Sequence, residues 1–264
     1  MKRVMNVKRM MMASAVVLAM SMGLTSCKTE WKRINVMDDG PKLTESRPLK
    51  GFEEIEISGS PRVCYTQADS FSVRVKGTKT GIENILTDVD GKTLTIRNRG
   101  KISLVNISFS DDDALTVYVT SPDLTAIRLN GSGDFESDSR IDTDRLDIVL
   151  RGSGDIDVKD VICDRCEVEL IGSGDINVTN MEAIETSASL VGSGDLNLGL
   201  MRVKDTWLSL KGSGDIEADF REDCGSLECE LRGSGDITVK GSVRQFDSHK
   251  NGSGDIHIDR LNVK

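Results

Sequence analysis

The chain has 264 residues, with 43 acidic against 34 basic side chains, 25 glycines, four prolines and 4% aromatics, for a formal net charge of -9. Nothing in that balance neutralises phosphates, which excludes a nucleic-acid partner, and a hydrophobic content of 38% is too high for a disordered chain. Two histidines leave few parts for acid–base or metal chemistry, and after residue 26 no apolar run is long enough to span a bilayer.

In chain order, the first element is an address. Lys2, Arg3, Lys8 and Arg9 precede an apolar stretch from Met10 to Met22, the pattern of a secretory signal and too short for a membrane span. The segment ends in Leu24-Thr25-Ser26-Cys27, which resembles the lipobox of bacterial lipoproteins. The resemblance implies cleavage after residue 26, lipidation of the Cys27 thiol and attachment to a membrane through that lipid. An ordinary signal peptide that ends near a cysteine is the alternative. Expected localisation is the bacterial envelope, as an outer-membrane lipoprotein facing the periplasm or the cell surface. Residues 27–50 have mixed charge and no clear period, and read as the lipidated cysteine and a flexible tether. Residues 51–264 are expected to form one head domain.

Residues 51–124 alternate apolar and polar side chains in short runs. Ile55-Glu56-Ile57, Phe71-Ser72-Val73-Arg74-Val75, Leu94-Thr95-Ile96 and Leu115-Thr116-Val117-Tyr118-Val119 are examples. They read as irregular leading coils or strands continuous with the core that follows.

From residue 125 to 258 a repeat takes over. Gly-Ser-Gly-Asp occurs seven times, starting at Gly131, Gly152, Gly172, Gly192, Gly212, Gly233 and Gly252, a period near 20 residues. Aligned on the first glycine, the positions two before it are all leucine until Lys250, and the position four after it is Phe135, Ile156, Ile176, Leu196, Ile216, Ile237 and Ile256. Polar residues stand between these columns, so each motif joins two half-buried strands. Counting by twos places both glycines inward, as suits a sharp bend in a narrow cross-section where no side chain fits or φ must be positive. One unit is then one coil of two or three short strands, and coils stack in parallel about 4.8 Å apart. The predicted fold is an all-β, right-handed, single-stranded parallel β-helix with coils of about 20 residues. Ser248 and Lys250 replace aliphatics at inward positions of the last unit, and residues 244–264 therefore read as a polar cap.

Phe52-x-x-Ile55-x-Ile57-x-Gly59, Val73-x-Val75-x-Gly77, Asp90-Gly91-x-x-Leu94-x-Ile96 and the Gly-Ser-Gly-Asp series together resemble the head GIN domain family, described as an autotransporter adhesin domain. The resemblance covers roughly residues 51–258. It implies a β-helical fold on a secreted or lipid-anchored bacterial protein, and it supplies no catalytic residues. The chain shows no autotransporter translocator barrel, so Cys27 takes the place of one as anchor.

The motif aspartates Asp134, Asp155, Asp175, Asp195, Asp215, Asp236 and Asp255 should form an outward ladder of roughly 29 Å, with the motif serines beside them. Neighbouring carboxylates at that spacing repel by about 0.9 kcal/mol per pair even at water's dielectric constant. Three readings of what offsets this stay open. The carboxylates accept hydrogen bonds from turn amides or motif serines; they collect Ca²⁺; or the edge recognises a polar ligand such as a glycan. Trp207 falls in an outward column and reads either as a glycan or protein contact or as a residue covered by a neighbouring loop. Cys163-Asp164-Arg165-Cys166 has redox or zinc spacing, but no second ligand pair completes a site. Buried thiols or a disulfide within Cys163/Cys166 or Cys224/Cys229 are the simpler readings, and Cys64 has no evident partner. His249 and His257 fall outward on the last coil and read as solvated.

No nucleophile elbow or phosphate loop is present, and no metal or organic cofactor besides Ca²⁺ on the ladder is expected. The expected function is a non-catalytic, adhesin-like binding surface with a glycan or protein ligand. A structural or assembly protein of the envelope that binds its own kind is the alternative. A polysaccharide-active β-helix enzyme comes third, because the coils lack the long loops that build a cleft.

Overall fold

The computed structural model describes residues 41–100, 115–222 and 224–264. The export signal, Cys27 and the tether as far as residue 40 lie outside the described residues. The strands are β1 (Leu43–Arg47), β2 (Glu54–Gly59), β3 (Arg62–Gln67) and β4 (Ser72–Gly77), then, after the short helix α1 (Lys79–Asn84), β5 (Ile85–Asp90), β6 (Thr93–Asn98) and β7 (Thr116–Ser121). The repeats supply β8 (Ala126–Gly131), β9 (Asp134–Asp142), β10 (Arg145–Gly152), β11 (Asp155–Gly172), β12 (Asp175–Gly192), β13 (Asp195–Met201), β14 (Asp205–Gly212), β15 (Asp215–Arg221), β16 (Ser226–Gly233), β17 (Ile237–Val243), β18 (Gln245–Gly252) and β19 (Ile256–Val263). The chain is all-β, and its stacked parallel coils form a β-solenoid of about seven turns.

Each repeat coil has three sides, and the reason can be read along β11. Its inward residues are Ile156, Val158, Val161, Cys163, Cys166, Val168 and Leu170, all buried. Steps of two keep to one side, as strand geometry requires. Steps of three mark corners, at Lys159-Asp160 and Asp164-Arg165, where two successive side chains point outward. Gly-Ser-Gly makes the third corner. β11 and β12 pair in parallel with a constant offset of one coil, Ile156 on Ile176 and Leu170 on Leu190, so like stacks on like. Each fully buried aliphatic contributes about 1.5–3 kcal/mol.

What excludes side chains at the glycine corner is the preceding coil, not a narrow cross-section. A Cβ on Gly194 would overlap the Gly174 carbonyl oxygen and lie 3.0 Å from its carbon. The same holds for the other motif glycines of the stack. The first glycine of each motif also has positive φ, +143° at Gly152 and +145° at Gly192, whereas the second does not. Across this joint the motif serine amide donates to the first glycine carbonyl one coil back, for example Ser193 N to Gly172 O at 2.9 Å.

The leading strands join the same core, but their stacking order differs from their chain order. β2 lies between β8 and β6, and β3 between β9 and β7, all in parallel. The coil made of β6 and β7 is therefore stacked outside the coil that precedes it in the chain. Antiparallel β5 then pairs with β6, β4 with β7, and β1 with β4. The Tyr65 and Phe135 rings stack 6.2 Å apart and seal the joint between the leading coils and the repeats. The Ser58-Gly59-Ser60-Pro61 turn is a rung of the glycine corner, since Gly59 O accepts from Ser132 N at 2.8 Å. β1 lies within the segment that reads as tether. Its residues are nearly all exposed, so neither face carries a hydrophobic pattern to announce it.

At the other end, β18 shows its inward Ser248 and Lys250 to solvent. β19 does not follow suit, because Ile258 and Val263 are 42% and 51% exposed. The terminal coil is polar on one side only.

Candidate functional site

The seven motif aspartates stand in one outward column on the side that follows the Gly-Ser-Gly corner, Asp155 between Asp134 and Asp175 and Asp195 beside Asp215. Their carboxylates are already engaged. Asp155 Oδ1 accepts from the Asp175 amide at 3.2 Å, and Asp175 Oδ1 from the Asp195 amide at 2.9 Å. The chain of contacts continues from Asp195 to Asp215 at 3.3 Å, Asp215 to Asp236 at 2.8 Å and Asp236 to Asp255 at 2.7 Å. The acceptor relation thus runs from one coil to the next, not within a turn. A hydrogen bond to a charged group contributes about 1.5–3 kcal/mol, more than the repulsion between neighbouring rungs.

Cations close both ends of the ladder. Arg62 occupies the rung before Asp134 and pairs with Glu136 at 2.6 Å. Lys250 pairs with Asp255 at 2.6 Å and holds that carboxyl below its usual range. Asp134 is pushed above its usual range, first by burial and then by the Asp155 charge. Among the described residues no three acidic, histidine or cysteine side chains are grouped to hold a metal ion.

Trp207 lies on the other side of the same corner, on β14 between Ser187 of the coil before and Glu228 of the coil after. The structure therefore does not bring Trp207 into the ladder; the two features flank the Gly-Ser-Gly corner on adjoining sides. The indole is half-buried and forms one wall of an open groove of about 400 Å³. Ser187 on the preceding coil opens this groove, leaving room that a larger side chain would fill, and Glu228 stands on the following coil. Glu167, Glu185, Asp205 and Glu228 supply carboxylates around it, and Ser187 and Ser226 supply hydroxyls. Arg165 also lines it and pairs with Glu185, and Ser226 Oγ donates to Asp205 Oδ1 at 2.6 Å. Beneath the groove, in the inward column, Thr206 is 4% exposed, and its Oγ1 finds no hydrogen-bond partner among the described residues. An aromatic wall rimmed by carboxylates and hydroxyls suits a polyhydroxylated or peptide ligand. Sequence reasoning identified Trp207 but missed Thr206, whose inward column otherwise holds Leu146, Cys166, Thr186, Leu227 and Phe246. The sequence signal for it was a hydroxyl at an inward position.

Cys64, Cys163, Cys166 and Cys229 are free thiols. Cys163 and Cys166 flank one corner, both buried; a hydrogen bond from Cys166 holds the Cys163 thiol below its usual range, while the same contact and complete burial raise Cys166. Burial pushes Cys229 up to about 12. Cys163, Cys166 and Cys229 are packing thiols in inward columns, whereas Cys64 lies outward with its thiol 3.7 Å from Glu136 Oε2. His249 and His257 are exposed, with His257 Nε2 3.4 Å from Asp236 Oδ2.

A family model described as "putative auto-transporter adhesin, head GIN domain" matches residues 51–224 and 208–264. Among solved structures, a putative adhesin from Bacteroides fragilis NCTC 9343 is 26% identical with a TM-score of 0.73, covering 84% of this chain and 97% of that one. A putative adhesin from Parabacteroides distasonis ATCC 8503 is 23% identical with a TM-score of 0.63, covering 83% and 98%. A putative lipid binding protein from the same strain is 24% identical with a TM-score of 0.61, covering 86% and 98%. No curated protein matches the chain.

Proposed function

Because the chain belongs to the head GIN domain family of putative auto-transporter adhesins, we propose that it is a non-catalytic, adhesin-like binding protein of the bacterial cell envelope, tethered by lipid on Cys27. The lipobox Leu24-Thr25-Ser26-Cys27 supports the anchor, and the adhesin family supports an envelope or surface setting. Binding is assigned to the groove at Trp207, and the observation that carries it is the half-buried indole that walls it between Ser187 and Glu228. The stacked coils hold that groove rigid, so little ordering entropy opposes a ligand. The Asp ladder serves as structure, since its carboxylates already accept amides.

The test is glycan and matrix-protein array binding by the chain from Lys28 on, which contains every described residue. Trp207→Ala should abolish specific binding, and a variant with Asp175, Asp195 and Asp215 changed to Asn should retain it. The reverse pattern would move the site to the ladder, and an unliganded array would favour envelope assembly. For the anchor, Cys27→Ser should remove fatty-acid labelling and release the protein from membranes.

A further inference from the structure

Ser248 and Lys250 break the inward columns on the β18 side of the last coil, whereas β19 keeps Ile256, Ile258, Leu261 and Val263. β18 pairs only with β16 and β19 only with β17 among the described residues. Inward residues of the stack direct their backbone groups to the following coil. Ile216 and Ile237 amides donate to Asp236 and Asp255 carbonyls at 3.0 and 2.9 Å, and Val243 O accepts from Lys264 N at 3.0 Å. By the same pattern Ile256, Ile258, Leu261 and Val263 present theirs away from the stack. An edge of this kind is a template for another strand.

What fits this edge is written in its own sequence. β19 reads Ile256-His257-Ile258-Asp259-Arg260-Leu261-Asn262-Val263, and it bends at Asp259-Arg260, where both side chains are exposed. Set against a second copy in antiparallel order about a two-fold axis through that bend, Ile256 meets the second copy's Val263 and Ile258 its Leu261. Asp259 meets the opposite Arg260, twice by symmetry. The two bends coincide, the inward sets face each other, and the residues whose backbone groups point off the edge are the ones placed in register. Charge agrees. Residues 244–264 hold four basic side chains (Arg244, Lys250, Arg260, Lys264) against three acidic ones (Asp247, Asp255, Asp259), although the whole chain carries -9. Two terminal coils can therefore meet without the repulsion that two acidic sides would suffer.

We infer that the chain self-associates end to end through β19, as an isologous antiparallel dimer with Asp259 of each copy paired to Arg260 of the other. This surface is separate from the Trp207 groove and stands whether or not that groove binds a ligand. A closed two-fold contact stops at two copies, unlike a head-to-tail contact, which would extend into a filament.

Sedimentation velocity of the chain from Lys28 on, over a concentration series, should show a reversible monomer–dimer equilibrium. Arg260→Asp and Asp259→Arg each turn two attractive contacts into repulsive ones and should weaken the dimer by roughly tenfold or more. Mixing the two variants should restore a heterodimer, and the doubly exchanged chain should restore a homodimer. Both positions are exposed, and circular dichroism should confirm an unchanged fold. A monomer at every concentration, a dimer indifferent to both variants, single variants that no mixing rescues, or growth beyond two copies would each overturn the proposal.

Discussion

Replacing Gly194 by alanine isolates the inter-coil joint from every other demand on a glycine. Its φ is outside the left-handed region, so an L side chain meets no backbone penalty there, unlike at Gly192 with φ +145°. The added Cβ would overlap the Gly174 carbonyl, and backbone cannot swing aside as a side-chain tip does. The two coils must part locally, and the nearest rungs are Ser193 N to Gly172 O at 2.9 Å and the Asp195 amide to Asp175 Oδ1 at 2.9 Å. Losing one neutral and one charge-assisted hydrogen bond costs about 2–4 kcal/mol. Ser193→Ala is the control, because its side chain is exposed and such changes stay within about 0.5 kcal/mol. Urea unfolding followed by circular dichroism reads both, with an unchanged slope required for comparison. If Gly194→Ala stayed within about 0.5 kcal/mol of the parent, steric exclusion by the preceding coil would be the wrong account of the motif.

Three further outcomes follow from the same geometry. Asp175→Ala removes the acceptor of the Asp195 amide and should destabilise by about 1–3 kcal/mol, while Asp175→Asn keeps a side-chain oxygen and should lose less, as urea midpoints will show. Asp134 is held above its ordinary value of 3.8, so its ionised form opposes folding at neutral pH and protonation relieves this as pH falls through the window just above that value. Asp134→Asn should therefore gain stability at pH 7, and the gain should vanish below about 3.8; Glu54 behaves oppositely, because its hydrogen bond from Arg128 holds it below 4.5 and its stabilisation is lost as acid protonates it. In timed alkylation read by mass spectrometry, Cys163 should react before Cys166, and Cys166 and Cys229 should react only on unfolding.

The coil was legible because its signal is local and redundant. Seven copies of one motif fix the period, and alternation around Leu170 or Ile176 fixes which side chains are inside. The three-sided cross-section was also written in the chain, in the paired outward residues Lys159-Asp160 and Asp164-Arg165, although alternation alone did not count the sides. The stacking order of the leading coils was not legible. Ile55 and Ile57 bury themselves equally well against Leu94 and Ile96 or against Ile127 and Leu129, and in the structure they lie between both pairs. Only the pairing partners, distant in sequence, settle that order. The ladder's acceptor relation was hidden for a similar reason, since an Asp in a tight turn suggests a local amide and its partner here is about 20 residues away.

The same division explains where function has room to reside. Backbone contacts at the glycine corner and like-on-like packing of inward columns carry the stack, and neither depends on what the outward columns hold. Within this chain the outward column of Trp207 runs Asp147, Glu167, Ser187, Trp207, Glu228 and Asp247, while the glycine positions do not vary. A half-exposed indole among carboxylates adds nothing to coil stacking, and burying the Thr206 hydroxyl without a partner beneath it works against stability by about 1–3 kcal/mol. An outward indole that the fold does not require is what the proposed binding role would add to a scaffold indifferent to its outward columns. Ser187→Trp tests that indifference: an indole at 187 would stand directly before Trp207 and fill the space that Ser187 leaves, so it should close the groove and lower binding without lowering the unfolding midpoint.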